Sequence, residues 1–183
     1  MIDEVVAQYL KLYPEDNRRL SLLKKQLRAG QKLYDRHNYT GHVAGSAIIF
    51  SPDKKKVLMI YHPTFQRWQQ PGGHWDDGEA GPWLTARREA LEETGVQLGK
   101  SLKSSDRHIP VHIDSHIVPT RPPKNEPRHY HHDFRYAFVA SSEMLSINDA
   151  VIKQARWLAL DEVKDEDLRQ AIARAQQQLR LKA

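Results

Sequence analysis

The sequence predicts an α+β domain with an extra helical pair at its N-terminus. Strand-like runs precede and follow one central helix near residues 82–94, and a further helix closes the chain. Residues 1–38 carry helical periodicity, so the expected division is a helical extension over 1–38 and the α+β domain over 39–183.

Taken in order, Ile2, Val5, Val6, Tyr9, Leu10 and Tyr13 follow helical spacing and predict a helix over 2–13. Pro14 interrupts it. Asp16 or Asn17 then offers a cap for a second helix lined by Leu20, Leu23 and Leu27 and ended by Gly30. This pair has three open roles: packing on the domain, covering a site, or forming a homodimer contact.

Residues 42–50 (HVAGSAIIF) and 57–62 (VLMIYH) read as partner strands joined by the turn Ser51-Pro52-Asp53-Lys54. A short strand, 68–70, puts Trp68 and Gln70 on one face and leads into Pro71-Gly72-Gly73. The central helix is expected from Pro82 to Thr94. Residues 99–108 are polar and read as loop, and 111–118 alternate as a strand. Residues 119–127 (PTRPPKNEP) cannot pair well, because proline donates no ladder hydrogen bond. Long loops of this kind are often functional.

The strand 129–140 alternates cleanly. Tyr130, His132, Phe134, Tyr136 and Phe138 take one face; His131, Asp133, Arg135, Ala137 and Val139 take the other. A further strand at 154–159 precedes a helix over about 161–180, for which Asp161 is the expected N-cap.

Composition removes several function classes. There is no cysteine, hence no disulfide, thiolate zinc site or cysteine nucleophile. No stretch has the length of a membrane span, and MIDEVVAQ lacks a signal-peptide pattern, so the expected location is cytoplasmic. The net charge of +5 is spread out. A nucleic-acid partner is therefore not expected, while a modest positive field helps to draw in a small polyanion.

The central helix carries Arg88, Glu89, Glu92 and Glu93. At about 100° per residue the three glutamates fall on one narrow face. Trp83, Leu84, Ala90 and Leu91 are expected on the buried side. Crowded carboxylates repel and raise each other's pKa, and a hard divalent cation relieves the conflict. Glu79 adds an acid from the preceding turn, and Gly72-Gly73 lets backbone approach a ligand.

The stretch Gly73–Val96 resembles the Nudix box, G-x5-E-x7-R-E-U-x-E-E-x-G-U, with U a bulky aliphatic. Gly73, Glu79, Arg88, Glu89, Glu92, Glu93, Gly95 and Val96 take the fixed positions. Two departures stand out: eight residues separate Glu79 from Arg88, and Ala90 fills the first U position. The extra residue is placed in the Ala80-Gly81-Pro82 turn, which leaves the role of Glu79 open.

The resemblance implies the Nudix fold, a mixed β-sheet sandwiched between helices. It also implies a Mg²⁺- or Mn²⁺-dependent hydrolase that cleaves a diphosphate linkage in a nucleotide, of the MutT-like kind. It assigns Glu89, Glu92, Glu93 and the Gly73 carbonyl to metal, and Arg88 to orienting the glutamates. The family sometimes takes its general base from outside the box, and Glu126 and Asp133 are the candidates here. Arg135, His131 and Trp68 are candidate substrate contacts, with Phe65 and Tyr130 as further stacking surfaces.

Histidines 112, 116, 129, 131 and 132 cluster in sequence. Alternation puts His131 and His132 on opposite faces, so the neighbouring pair is poorly placed to share a zinc ion. A substrate-facing subset with the rest structural is the favoured reading. The alternative function is a non-catalytic nucleotide-sensing or RNA-binding module of the same fold. Intact acids argue against that alternative, the absence of cysteine argues against the isomerases of this fold, and no G-x4-G-K-[ST] loop is present.

Overall fold

Nine consecutive buried residues, His42–Phe50, form the strand on which the other elements hang. In the computed structural model, which describes residues 2–62, 66–99, 109–122, 125–148 and 152–180, this strand is β1. The predicted loop over 99–108 and the candidate Phe65 lie outside the described residues, apart from Gly99.

Two helices precede it, α1 (Ile2–Leu12) and α2 (Ser21–Arg28). There follow β2 (Lys56–His62), β3 (Arg67–Gln69), β4 (Gly72–His74), α3 (Pro82–Thr94), β5 (His112–Val118), β6 (His129–Val139), β7 (Gln154–Ala159) and α4 (Glu166–Arg180). One edge of β1 runs parallel to β6 over its whole length, and β5 lies antiparallel beyond β6. The other edge divides: Ala44–Ser46 pair with β4, while Phe50 pairs with Val57 of β2. Strand β2 pairs in turn with β3 and β7. The sheet is mixed, as the resemblance implies.

Alternation along the strands feeds two cores. Val43, Ala47 and Ile49 of β1 join Phe134, Tyr136 and Phe138 of β6 against Ala86 and Ala90 of α3. Ile48 and Phe50 join Val57, Met59 and Leu158 against Leu168, Ala171, Ile172 and Ala175 of α4. Helix α3 approaches β1 closely because Gly45 has no side chain there. A Cβ at Gly45 would lie 2.3 Å from the Pro82 carbonyl oxygen.

The buried side of α3 differs from the sequence expectation. Thr85, Ala86, Ala90 and Thr94 face the sheet, whereas Leu84 and Leu91 are exposed. Close packing on Gly45 favours the small side chains at that contact. It also accounts for Ala90 standing where the box pattern has a bulky aliphatic, since Ala90 is fully buried.

The N-terminal helices share the first core through Val6, Tyr9, Leu20 and Leu23. They also reach α4: Arg174 donates to Asp16 (2.6 Å) and to the Tyr9 hydroxyl (2.9 Å), and that hydroxyl accepts from the Ile113 N–H (3.1 Å). Asp16 is therefore no helix cap. The segment Pro14–Asn17 is a 3-10 turn, and α2 starts at Ser21 without a side-chain cap. Asn17 accepts from Lys24 instead. Asp161 likewise lies in a 3-10 turn, and Asp165 caps α4 by accepting from the Leu168 N–H at 2.8 Å. Among the described residues no helix is long and apolar enough to cross a membrane.

Candidate active site

The acids of α3 meet the glycines of β4. The Gly72 N–H donates to Glu93 at 3.1 Å, and a Cβ on Gly73 would lie 2.2 Å from Glu89 Oε1. Gly73 lets Glu89 come this close because it has no side chain there, while the missing side chain of Gly72 makes room for Ser46 of β1. Glu93 is only 4% exposed, and burial together with the Glu89 charge pushes its pKa up to about 8. Burial also raises Glu89, against the lowering pull of Arg88. Glu92 is half exposed on the outer side.

Arg88 ties the group together. Its Nη1 donates to Glu89 (2.9 Å) and Glu92 (3.0 Å), its Nη2 to the His74 carbonyl (2.8 Å), and its Nε to Glu79 (3.0 Å). Glu79 also accepts from the Thr85 hydroxyl (2.6 Å) and the Asp76 N–H (3.0 Å). Burial works against the Glu79 charge, but these donors hold its pKa below the usual value. The extra residue thus leaves Glu79 joined to Arg88.

These residues border a cleft of about 480 Å³. Of the three helix glutamates Glu89 lines it, along with Gly73, Trp68, Asp133, Arg135 and His131. Arg36, Arg67 and Arg121 line it too, and these three were not singled out from the sequence. Arg121 comes from the proline-rich segment 119–127. A cleft joining Glu89 and the Gly73 backbone to several arginines suits a polyanion bound together with a divalent cation.

The outlying candidates separate. Glu126 does not line the cleft; it pairs with Arg36 at 3.0 Å and Arg121 at 3.6 Å, two residues that do. Asp133 is buried, accepts on Oδ2 from Gln70 and Arg135, both at 3.1 Å, and leaves Oδ1 without a hydrogen-bond partner. Arg135 is committed to Asp133 and to His112 Nδ1 at 3.3 Å. Trp68 packs under Arg156, whose guanidinium carbon lies 4.1 Å from its ring centre, and edge-on to Tyr61.

Alternation on β6 holds for the histidines. His132 faces α2, with Nε2 2.7 Å from Gln26 Oε1 and Nδ1 2.8 Å from the Ser115 hydroxyl. His131 turns to the cleft and meets two rings that the sequence reading passed over, His42 of β1 and His74 of β4. Register is the reason: His42 stands opposite His131, and His74 opposite Ala44. Burial pushes the pKa of His42 down to about 4 and of His74 to about 3, and that of His131 lower still.

The carboxylate site fits a hard divalent ion. Its donors are oxygens, Glu93 is buried with a single backbone N–H as partner, and one arginine serves three of the acids.

The NUDIX domain family matches residues 41–179. A probable DHNTP pyrophosphohydrolase from Lactococcus lactis subsp. cremoris (strain MG1363) is 30% identical over 138 residues, spanning 74% of this chain and 78% of that protein. A NUDIX-family hydrolase structure from Clostridium perfringens superposes with TM-score 0.53 at 24% identity, covering 76% of this chain and 97% of that one. A C. elegans Ap4A hydrolase gives TM-score 0.51 at 13% identity, covering 75% and 97%.

Proposed function

The chain belongs to the NUDIX family and is a Nudix pyrophosphohydrolase, and from that premise we propose that it uses Mg²⁺ or Mn²⁺ to cleave a diphosphate linkage in a nucleotide-like substrate. The observation that carries this reading is the convergence of Glu89 and Glu93 on the β4 glycines, at the border of a cleft also lined by Arg36 and Arg121.

Glu89, Glu92, Glu93 and the Gly73 carbonyl are the residues that would hold the ion. When bound, it neutralises phosphoryl charge and favours ionisation of a nearby water. Arg88 fixes the glutamates, and Glu79 with Thr85 fixes Arg88. Arg36, Arg67 and Arg121 bind phosphate oxygens by charge-assisted hydrogen bonds. Glu89, the helix acid that lines the cleft, either completes the oxygen set around the ion or takes the proton of the attacking water. The water oxygen bonds to phosphorus as the bridging P–O bond breaks, giving two phosphate products.

The substrate class follows from a panel assay. The panel holds ordinary and oxidised nucleoside triphosphates, ADP-ribose, nucleotide sugars, diadenosine polyphosphates and dihydroneopterin triphosphate. The last enters because the Lactococcus relative's name includes DHNTP. Turnover of one class with Mg²⁺, abolished by EDTA, supports the proposal. Tight binding of a panel compound with no turnover of any would favour a sensing module instead.

A further inference from the structure

Three histidines from three neighbouring strands close on one another beside the carboxylate site. The ring centres of His42 and His131 are 4.7 Å apart, those of His74 and His131 4.9 Å, and those of His42 and His74 5.2 Å. One nitrogen from each lies within 4.8 Å of the other two. Around a tetrahedral ion with metal–nitrogen bonds of about 2.0–2.1 Å, ligand nitrogens stand roughly 3.3 Å apart. Small side-chain rotations close that gap.

The unpartnered nitrogens are a second, independent observation. His42 Nε2 and His131 Nε2 are buried with no hydrogen-bond partner, as is His129 Nε2 in the adjoining ring. Buried polar atoms in folded proteins nearly always have partners, so this concentration in one cluster calls for one. His42 Nδ1 faces the Asn38 carbonyl at 3.3 Å, and His129 Nδ1 faces the Pro127 carbonyl at 2.7 Å. A carbonyl only accepts, so in each ring Nδ1 carries the hydrogen and Nε2 keeps its lone pair. Ligand histidines are commonly oriented by this same second hydrogen bond.

We propose that His42, His74 and His131 form a binding site for a first-row transition metal of the zinc class, separate from the Mg²⁺ site on α3. Neutral imidazole suits zinc, cobalt, nickel and copper, whereas Mg²⁺ prefers the oxygens of the glutamates. His74 and His131 line the cleft, so the fourth coordination position faces it and takes water or a substrate oxygen. His129 stacks on His42 at 4.9 Å and walls the far side.

Cobalt titration of the chelator-stripped full-length protein tests this directly. The expected result is one Co²⁺ per chain with the visible absorption of a tetrahedral nitrogen site, displaced by equimolar Zn²⁺ and untouched by excess Mg²⁺. His74→Ala and His131→Ala each weaken uptake by at least about 100-fold, while Glu93→Gln retains it. In parallel, imidazole ¹⁵N NMR of the unaltered chain follows the ten histidines during zinc addition. His42, His74 and His131 shift together at one equivalent, a result that does not depend on any variant folding. No stoichiometric uptake, displacement by Mg²⁺, loss of the band in Glu93→Gln, or shifts in other rings alone would overturn the site. None of these readings requires turnover, so this site and the hydrolase reading stand or fall separately.

Discussion

The Gly72 N–H donates to the Glu93 carboxylate at 3.1 Å, and in doing so fastens the end of a three-residue strand to the most buried acid of the site. The neighbouring glycine, Gly73, acts sterically instead, by leaving room for Glu89. Replacing Gly73 with Ala puts a methyl 2.2 Å from Glu89 Oε1, the mobile end of a side chain. The fold accommodates this by moving Glu89. The expected outcome is a melting temperature within a few degrees of the parent and a kcat lower by about 100-fold, the scale of a misplaced catalytic group. Unchanged kcat would show that the position of Glu89 does not matter.

Gly45→Ala acts differently, because its methyl meets the Pro82 carbonyl at 2.3 Å and backbone cannot turn away. Helix α3 has to shift on β1. A loss of about 1–3 kcal/mol in denaturant unfolding is expected, the usual cost of overpacking, with activity falling alongside.

Arg88→Lys keeps the charge but removes the fork that serves Glu79, Glu89, Glu92 and the His74 carbonyl at once. Steady-state kinetics should show kcat down by about tenfold or more. A variant with parental kcat would reduce Arg88 to a surface pair.

The N-terminal helices are held by a buried ion pair rather than by apolar contact alone. Removing the carboxylate in Asp16→Ala leaves the Tyr9 hydroxyl without its acceptor and Arg174 with Glu15, at 2.6 Å, as its remaining carboxylate. Leaving that buried hydroxyl unsatisfied costs about 1–3 kcal/mol, readable in urea midpoints. A change under about 1 kcal/mol would mean that water replaces the carboxylate there.

Acid stability follows from Asp114. Burial alone would raise its pKa, but the His116 hydrogen bond and the Arg135 charge outweigh it and hold the pKa down at about 2. The folded value lies below the unfolded value of 3.8. The stabilisation is therefore complete above about pH 4 and is lost as pH falls towards 2. Unfolding free energies measured from pH 6 to 2 should fall less steeply for Asp114→Asn than for the parent; parallel curves would contradict this.

What was legible in the sequence was whatever a fixed local spacing encodes. Helix α3 and its acids came from helical spacing, the long β6 from alternation, and the boundaries of β1 and β7 from strand-like runs within single segments. Strand β4 was hidden, because Gly72-Gly73-His74 is too short and too glycine-rich to show a strand pattern. The caps failed for a related reason: Asp16 and Asp161 have the right residue type, but Asp16 is claimed by Arg174 from across the chain. The histidine cluster was missed because its members lie on three strands. Its signal was the parity of His42, on the cleft face of β1, together with a histidine directly after the glycine pair. Only register joins the two to His131.

The most direct test of the central claim is Mg²⁺ titration of hydrolysis for the parent and for Glu93→Gln, on whichever panel substrate is turned over. Saturable Mg²⁺ activation is expected in the parent, with no activity in EDTA and a loss of about 100–1000-fold in the variant, the order of losing a principal electrostatic contribution. Hydrolysis that persists in EDTA, or a Glu93→Gln protein with parental Mg²⁺-dependent rates, would contradict it.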